Sequence, residues 1–182
     1  MLKNAIHKIQ DFLLKKKTGK RQRVKNLKHY DDIKQVGILY DANGGINKMP
    51  GDFIRKLQHE NKQVKALGFI RKRNINSGLK SSITFDYFTE KDLNWLGKPL
   101  GKQIDAFLSE KFDILLDLTD SSSYAFSYIT GMSEAGLKIG KKGSGSEAFY
   151  DLMIELEPGS STDAFLKHVD HYLRILKPAR EA

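Results

Sequence analysis

Short apolar runs separated by helix-like patterns recur along most of this chain, and that alternation restricts the fold more than any other feature. Residues 36–40 and 114–116 are strand-sized blocks, and no run approaches the roughly 18 apolar residues of a membrane span. Strands are predicted at 35–41, 64–70, 84–88, 112–118 and 137–141, with a further alternating segment at 150–156. Helices are predicted between them. One covers 52–60, entered through Pro50 and Gly51, where proline is tolerated in the first turn. Others cover 101–110, 121–135 with serines at its start and Gly136 past its end, and 162–176, with a helical turn at 90–96. Strands joined by crossover helices fold as an α/β, Rossmann-like open and mostly parallel sheet, here of five or six strands, with helices on both faces.

The charge is unevenly placed. Residues 1–30 hold ten lysines and arginines against Asp11 alone, which equals the formal net charge of +9 for the whole chain. The body, 31–182, is therefore neutral and the leading arm, 1–30, is basic, an asymmetry that points to an anionic partner. Leu2, Ile6, Ile9 and Leu13 recur at helical spacing with lysines between them, so a basic amphipathic helix is predicted over 2–16. The polar stretch that follows reads as a solvated tether, with Gly19 breaking helical propensity.

Cysteine is absent, which removes disulfides, thiolate metal sites and cysteine nucleophiles. The first 30 residues lack the apolar core and small-residue cleavage site of a secretory signal, so a cytoplasmic address is expected. His168 and His171 are the one close histidine pair and have no carboxylate motif beside them, so no metal site is predicted. Asn43-Gly44-Gly45 follows the first strand without dinucleotide or P-loop spacing, and no cofactor is predicted.

Several segments resemble an uncharacterised family of short Bacteroidota proteins known only as a domain of unknown function. They are Gly37-Ile38-Leu39-Tyr40-Asp41, residues 64–69, the Trp95 segment 88–99, residues 112–118 and 150–154. That family has no functional residues to carry over. The Phe112 to Asp117 run, followed by a helix and Gly136-Leu137-Lys138-Ile139-Gly140, is also similar to the N-terminal half of heptosyltransferase-like glycosyltransferases. That resemblance implies a half domain without its nucleotide-sugar-binding partner.

In open α/β sheets ligands sit outside the carboxyl ends of the strands, where the strand order reverses. Asp41, Asp117 and Asp120 are predicted there, as oxygen ligands for a divalent cation or as a general base. The competing role is capping and turn chemistry, which is the commoner use of aspartate at such positions. Ser121, Ser122 and Ser123 at a helix start offer hydroxyls and amides to a phosphate, and equally serve as ordinary capping residues. Trp95 and Tyr87 are expected to pack beneath a loop.

The basic arm carries the leading functional expectation: a non-enzymatic adaptor that binds RNA, with ribosomal RNA as the candidate, through Lys15, Lys16, Lys17, Lys20, Arg21 and Arg23. Six phosphate contacts would make affinity fall about a thousandfold between roughly 50 and 200 mM salt. An anionic membrane surface is the alternative partner, at about 1 kcal/mol per cation, with no tryptophan or tyrosine in the first 29 residues to anchor there. A small-molecule enzyme or degenerate glycosyltransferase-like half domain using the strand-end crevice is the third reading.

Overall fold

The computed structural model describes residues 2–20, 22–43, 50–71, 80–120 and 123–178, with side chains in the first helix from Ile6 onward. The valine, isoleucine and leucine blocks pair as β1 (Gln35–Asp41), β2 (Gln63–Ile70), β3 (Phe85–Thr89), β4 (Ile114–Asp117), β5 (Leu137–Lys141) and β6 (Leu152–Ile154). These form one sheet in the order β3-β2-β1-β4-β5-β6, and every neighbouring pair is parallel. The Rossmann-like architecture expected from the alternating pattern is therefore present, and the order reverses between β1 and β4.

Burial on both faces explains the near-continuous apolar strands. Ile38 pairs with Ala66 and Leu116, and Leu39 with Leu67, so alternate residues feed opposite layers. Ile38, Ala66, Leu116 and Ile139 meet Ile54 and Leu57 of α2 (Gly51–His59) and Phe165, Val169 and Leu173 of α5 (Thr162–Ile175). Leu39, Leu67 and Leu115 meet Ile104 and Phe107 of α3 (Lys102–Ser109) and Phe126 and Ile129 of α4 (Tyr124–Met132).

Helix α1 (Leu2–Thr18) packs against α4 as an outer layer. The predicted stripe only flanks its docking face: Ile6 and Leu13 are half-buried and Ile9 points outward. Leu14 is 3% exposed and Gln10 is buried, whereas Ile9 is 45% exposed. Consecutive residues lie about 100° apart around a helix, so the buried face is turned away from the apolar stripe by about one residue. A specific contact sets this rotation: Gln10 Nε2 donates to the Leu96 carbonyl at 2.6 Å.

Other expectations change in detail. The helix read over 121–135 spans only Tyr124–Met132, because Ser133 is already extended. Gly136 is consequently not its cap. A Cβ there would lie 2.9 Å from the Asn26 carbonyl and 3.0 Å from that of Asp113, so glycine admits a close backbone approach. The turn at 90–96 is a single 3-10 turn, Glu90–Asp92. Gly136 to Gly140, matched above to a glycosyltransferase run, belongs to β5 and its entry. The link from β5 to β6 carries only the 3-10 turn Glu147–Phe149.

The predicted tether lies along the body. Asn26 donates its amide to Gly136 O at 3.0 Å. Arg23 donates to Ala135 O at 2.6 Å and pairs with Asp151, Lys25 pairs with Asp151 at 2.9 Å, and Lys28 with Asp113 at 2.6 Å.

Candidate functional site

Parallel strands deliver their carboxyl ends to one edge of the sheet, and a groove of about 550 Å³ lies there. Phe69 and Arg71 come from the end of β2, Glu90 from the end of β3 and Asp120 from the residues after β4. The first turn of α4 contributes Ser123, Tyr124 and Ala125, and α1 contributes His7 and Gln10 from the side. The roof is thus part of the N-terminal arm.

The three predicted aspartates do not converge. Asp41 Oδ1 accepts the Asn43 amide at 2.8 Å and the Asn43 side-chain amide, while Asn43 Oδ1 accepts the Arg71 amide at 2.7 Å. That is turn chemistry, with the Arg71 guanidinium 3.9 Å from Asp41 Oδ2. Asp120 pairs at 2.6 Å with Lys141, whose ammonium is held against the Phe165 ring.

Asp117 is fully buried, a correction to its expected place in the crevice. Its Oδ1 accepts from the Thr119 amide at 3.0 Å and hydroxyl at 2.6 Å, and its Oδ2 from Thr130 Oγ1 and Tyr150 OH, each at 2.9 Å. Burial raises its pKa, outweighing the hydrogen bonds from Thr119, Tyr150 and Thr130 that favour the charged form. A carboxylate surrounded by four protein donors ties β4 to α4 and to the segment before β6. It has no open side for a substrate. Among the described residues no three histidine, aspartate or glutamate side chains gather as a cation site.

The groove offers donors instead. The first amides of a helix have no intrahelical acceptor, and the helix dipole adds partial positive charge there. Ser123 occupies the N-cap of α4 without bonding back to it, so neither its hydroxyl nor those amides are capped by its side chain. Arg71 stands across the groove with its side chain more than half exposed. Together these are the elements of an anion site. Ser121 and Ser122 lie outside the described residues.

Of the arm cations, Lys15, Lys16, Lys17 and Lys20 are exposed, and Arg21 lies outside the described residues. Arg23, counted with them above, is instead a structural residue held by Asp151 and Ala135. Asp151 and Asp113 are raised by burial, but their hydrogen bonds win and hold both below the ordinary 3.8. Trp95 also departs from expectation. Asn94 Oδ1 accepts the amides of Leu96 and Lys98, closing a tight turn whose tip leaves Trp95 81% exposed; Tyr87 is buried as expected.

Arg71, His7 and Gln10 escaped the sequence reading. Arg71 carried a signal, because Arg-Lys-Arg directly follows an apolar strand. His7 and Gln10 carried none, since their place in the groove depends on how α1 rotates as it docks.

Sheet order and strand-end groove define an open, all-parallel α/β protein of Rossmann-like architecture. The chain belongs to the family of unknown function DUF6913, whose model matches residues 7–176. No curated protein matches it. Among solved structures it is similar to an NADPH-dependent glyoxylate/hydroxypyruvate reductase from Sinorhizobium meliloti in complex with NADP and sulfate, at 16% identity and a TM-score of 0.34. That match covers 93% of this chain and 60% of the reductase. The apo form of the same reductase gives 16% identity and a TM-score of 0.33, covering 93% and 73%. The chain spans less than two thirds of the first of these structures.

Proposed function

We propose that the protein binds a small anionic ligand, such as a phosphorylated metabolite, in the strand-end groove. The amino terminus of α4, which the Ser123 side chain leaves without a cap bond, and Arg71 on the same groove carry this reading. Ligand phosphate takes the α4 amides and the Ser123 hydroxyl, while Arg71 gives a paired, planar contact. His7 and Gln10 cover it from α1, so occupancy of the groove and docking of the arm are coupled.

Asp41, Asp117 and Asp120 are committed to a turn, the interior and an ion pair, which supports recognition over acid-base catalysis by these three. Of the arm cations expected to meet an anionic partner, Lys15, Lys16, Lys17 and Lys20 are exposed, whereas Arg23 is engaged with the body.

Thermal unfolding in pyrophosphate and in nucleoside monophosphates tests the groove. A ligand at about a hundred times its Kd adds about 2.7 kcal/mol, a rise of about 5–10 °C for a chain of this size. Arg71→Ala should abolish the rise. A melting curve indifferent to all these anions removes the proposal.

A further inference from the structure

Helix α1 buries Gln10 and Leu14, half-buries Ile6 and Leu13, and turns Ile9 and Phe12 outward. Phe12 is 64% exposed and Ile9 is 45% exposed. On a helix the neighbours of position 12 are positions 8, 9, 15 and 16, which here are Lys8, Ile9, Lys15 and Lys16, all exposed. Beside this helix, the turn bonded to Gln10 through the Leu96 carbonyl presents Trp95 almost fully to solvent. Large aromatic and aliphatic groups held in water are unfavourable there, and here they stand beside exposed lysines.

We propose that this face is a peripheral docking surface for an anionic lipid bilayer. Phe12, Ile9 and Trp95 enter the boundary between headgroups and acyl chains, and Lys8, Lys15 and Lys16 meet the lipid phosphates. The combination decides between the two anionic partners. Nucleic acid rewards cations along a groove or stripe, and here Arg23 is turned into the body. A bilayer rewards apolar insertion and positive charge on the same helix face. Tryptophan, missing from the arm itself, is supplied by the adjoining turn. Phe12, Ile9 and the three lysines lie on the side of α1 away from His7 and Gln10, so their part of the surface stands or falls independently of the groove.

Flotation of the full chain with vesicles tests this, comparing phosphatidylcholine alone with phosphatidylcholine containing about 30% phosphatidylglycerol. Binding is expected only to the anionic vesicles, and to weaken at high salt. Each lysine near such a surface is worth about fivefold in partitioning, so Lys15→Gln with Lys16→Gln should lower it about 25-fold. Phe12→Ser should lower it about tenfold. Met153→Ser, an exposed apolar change on edge strand β6, should leave it unchanged, and circular dichroism of all variants should match the parent. Emission from Trp95, the sole tryptophan, should move to the blue on binding. The proposal is overturned by failure to float with either vesicle, by flotation that ignores both α1 variants, or by emission unmoved in the floated protein. Retention of polyuridine that tolerates Phe12→Ser, with no flotation, would assign the lysines to RNA instead.

Discussion

Tyr150 reaches Asp117 because the residue beneath its ring is glycine. A Cβ on Gly140 would lie 2.0 Å from the ring, and Gly140 is the register partner of Asp117 across β4 and β5. Gly140→Ala therefore has to displace the ring and break its bond to the buried carboxylate. We expect this to cost about 2–4 kcal/mol in denaturant unfolding. Tyr150→Phe keeps the ring and removes the hydroxyl, which also bonds Ser144 at 2.7 Å, and should cost about 1–2 kcal/mol. A smaller loss for Gly140→Ala than for Tyr150→Phe would show that the ring is not wedged as described. Their contact is not legible in the sequence, since a glycine in a strand and a tyrosine in a turn meet only once β5 and the following loop face each other.

The arm is held by few groups, and two aspartates pair with three of its ten cations. Asp151 takes Arg23 and Lys25, and Asp113 takes Lys28 together with the amides of Lys34 and Gln35. Both are depressed below the ordinary 3.8, so the unfolded or undocked chain takes up protons first as the pH falls. Their contribution is complete above that value and is lost as acid carries the pH down through the lower folded values. Amide exchange in α1 should accordingly accelerate on acidification below about pH 4, ahead of exchange in β1 and β4. Asp151→Asn should speed exchange in α1 already at neutral pH. The lost pairing is worth about 2–4 kcal/mol, and the arm can detach while the sheet stays folded. Equal acceleration throughout the sheet would mean that the arm and body unfold as one unit.

Across the whole sheet, stability should fall from the switch point to the edge. β4 is buried at all four positions, whereas β6 has three residues, one of them exposed. Leu116→Ala should cost about 3–5 kcal/mol, as for other enclosed leucines, and Leu152→Ala, half-buried at the edge, about 1–2 kcal/mol. Chemical denaturation of the two variants measures the gradient, and equal losses would contradict it. The same layout sets the groove at the β1/β4 reversal, where loops from several strands meet the start of α4.

Local pattern was enough for the sheet. Apolar blocks at 35–41 and 137–141 appear as β1 and β5 with those bounds, because a strand buried on both faces writes itself as a continuous run. Serine marked the start of α4 at Ser123, but punctuation by Gly136 misled at its end, since backbone approach by Asn26, and not a helix cap, accounts for that glycine. Charge counting found the basic arm, but could not show that Asp151 and Asp113 claim three of its cations. Long-range pairing decides such matters: the rotation of α1, the burial of Asp117 and the exposure of Trp95 each depend on partners many residues distant, and a one-dimensional periodicity carries no term for them.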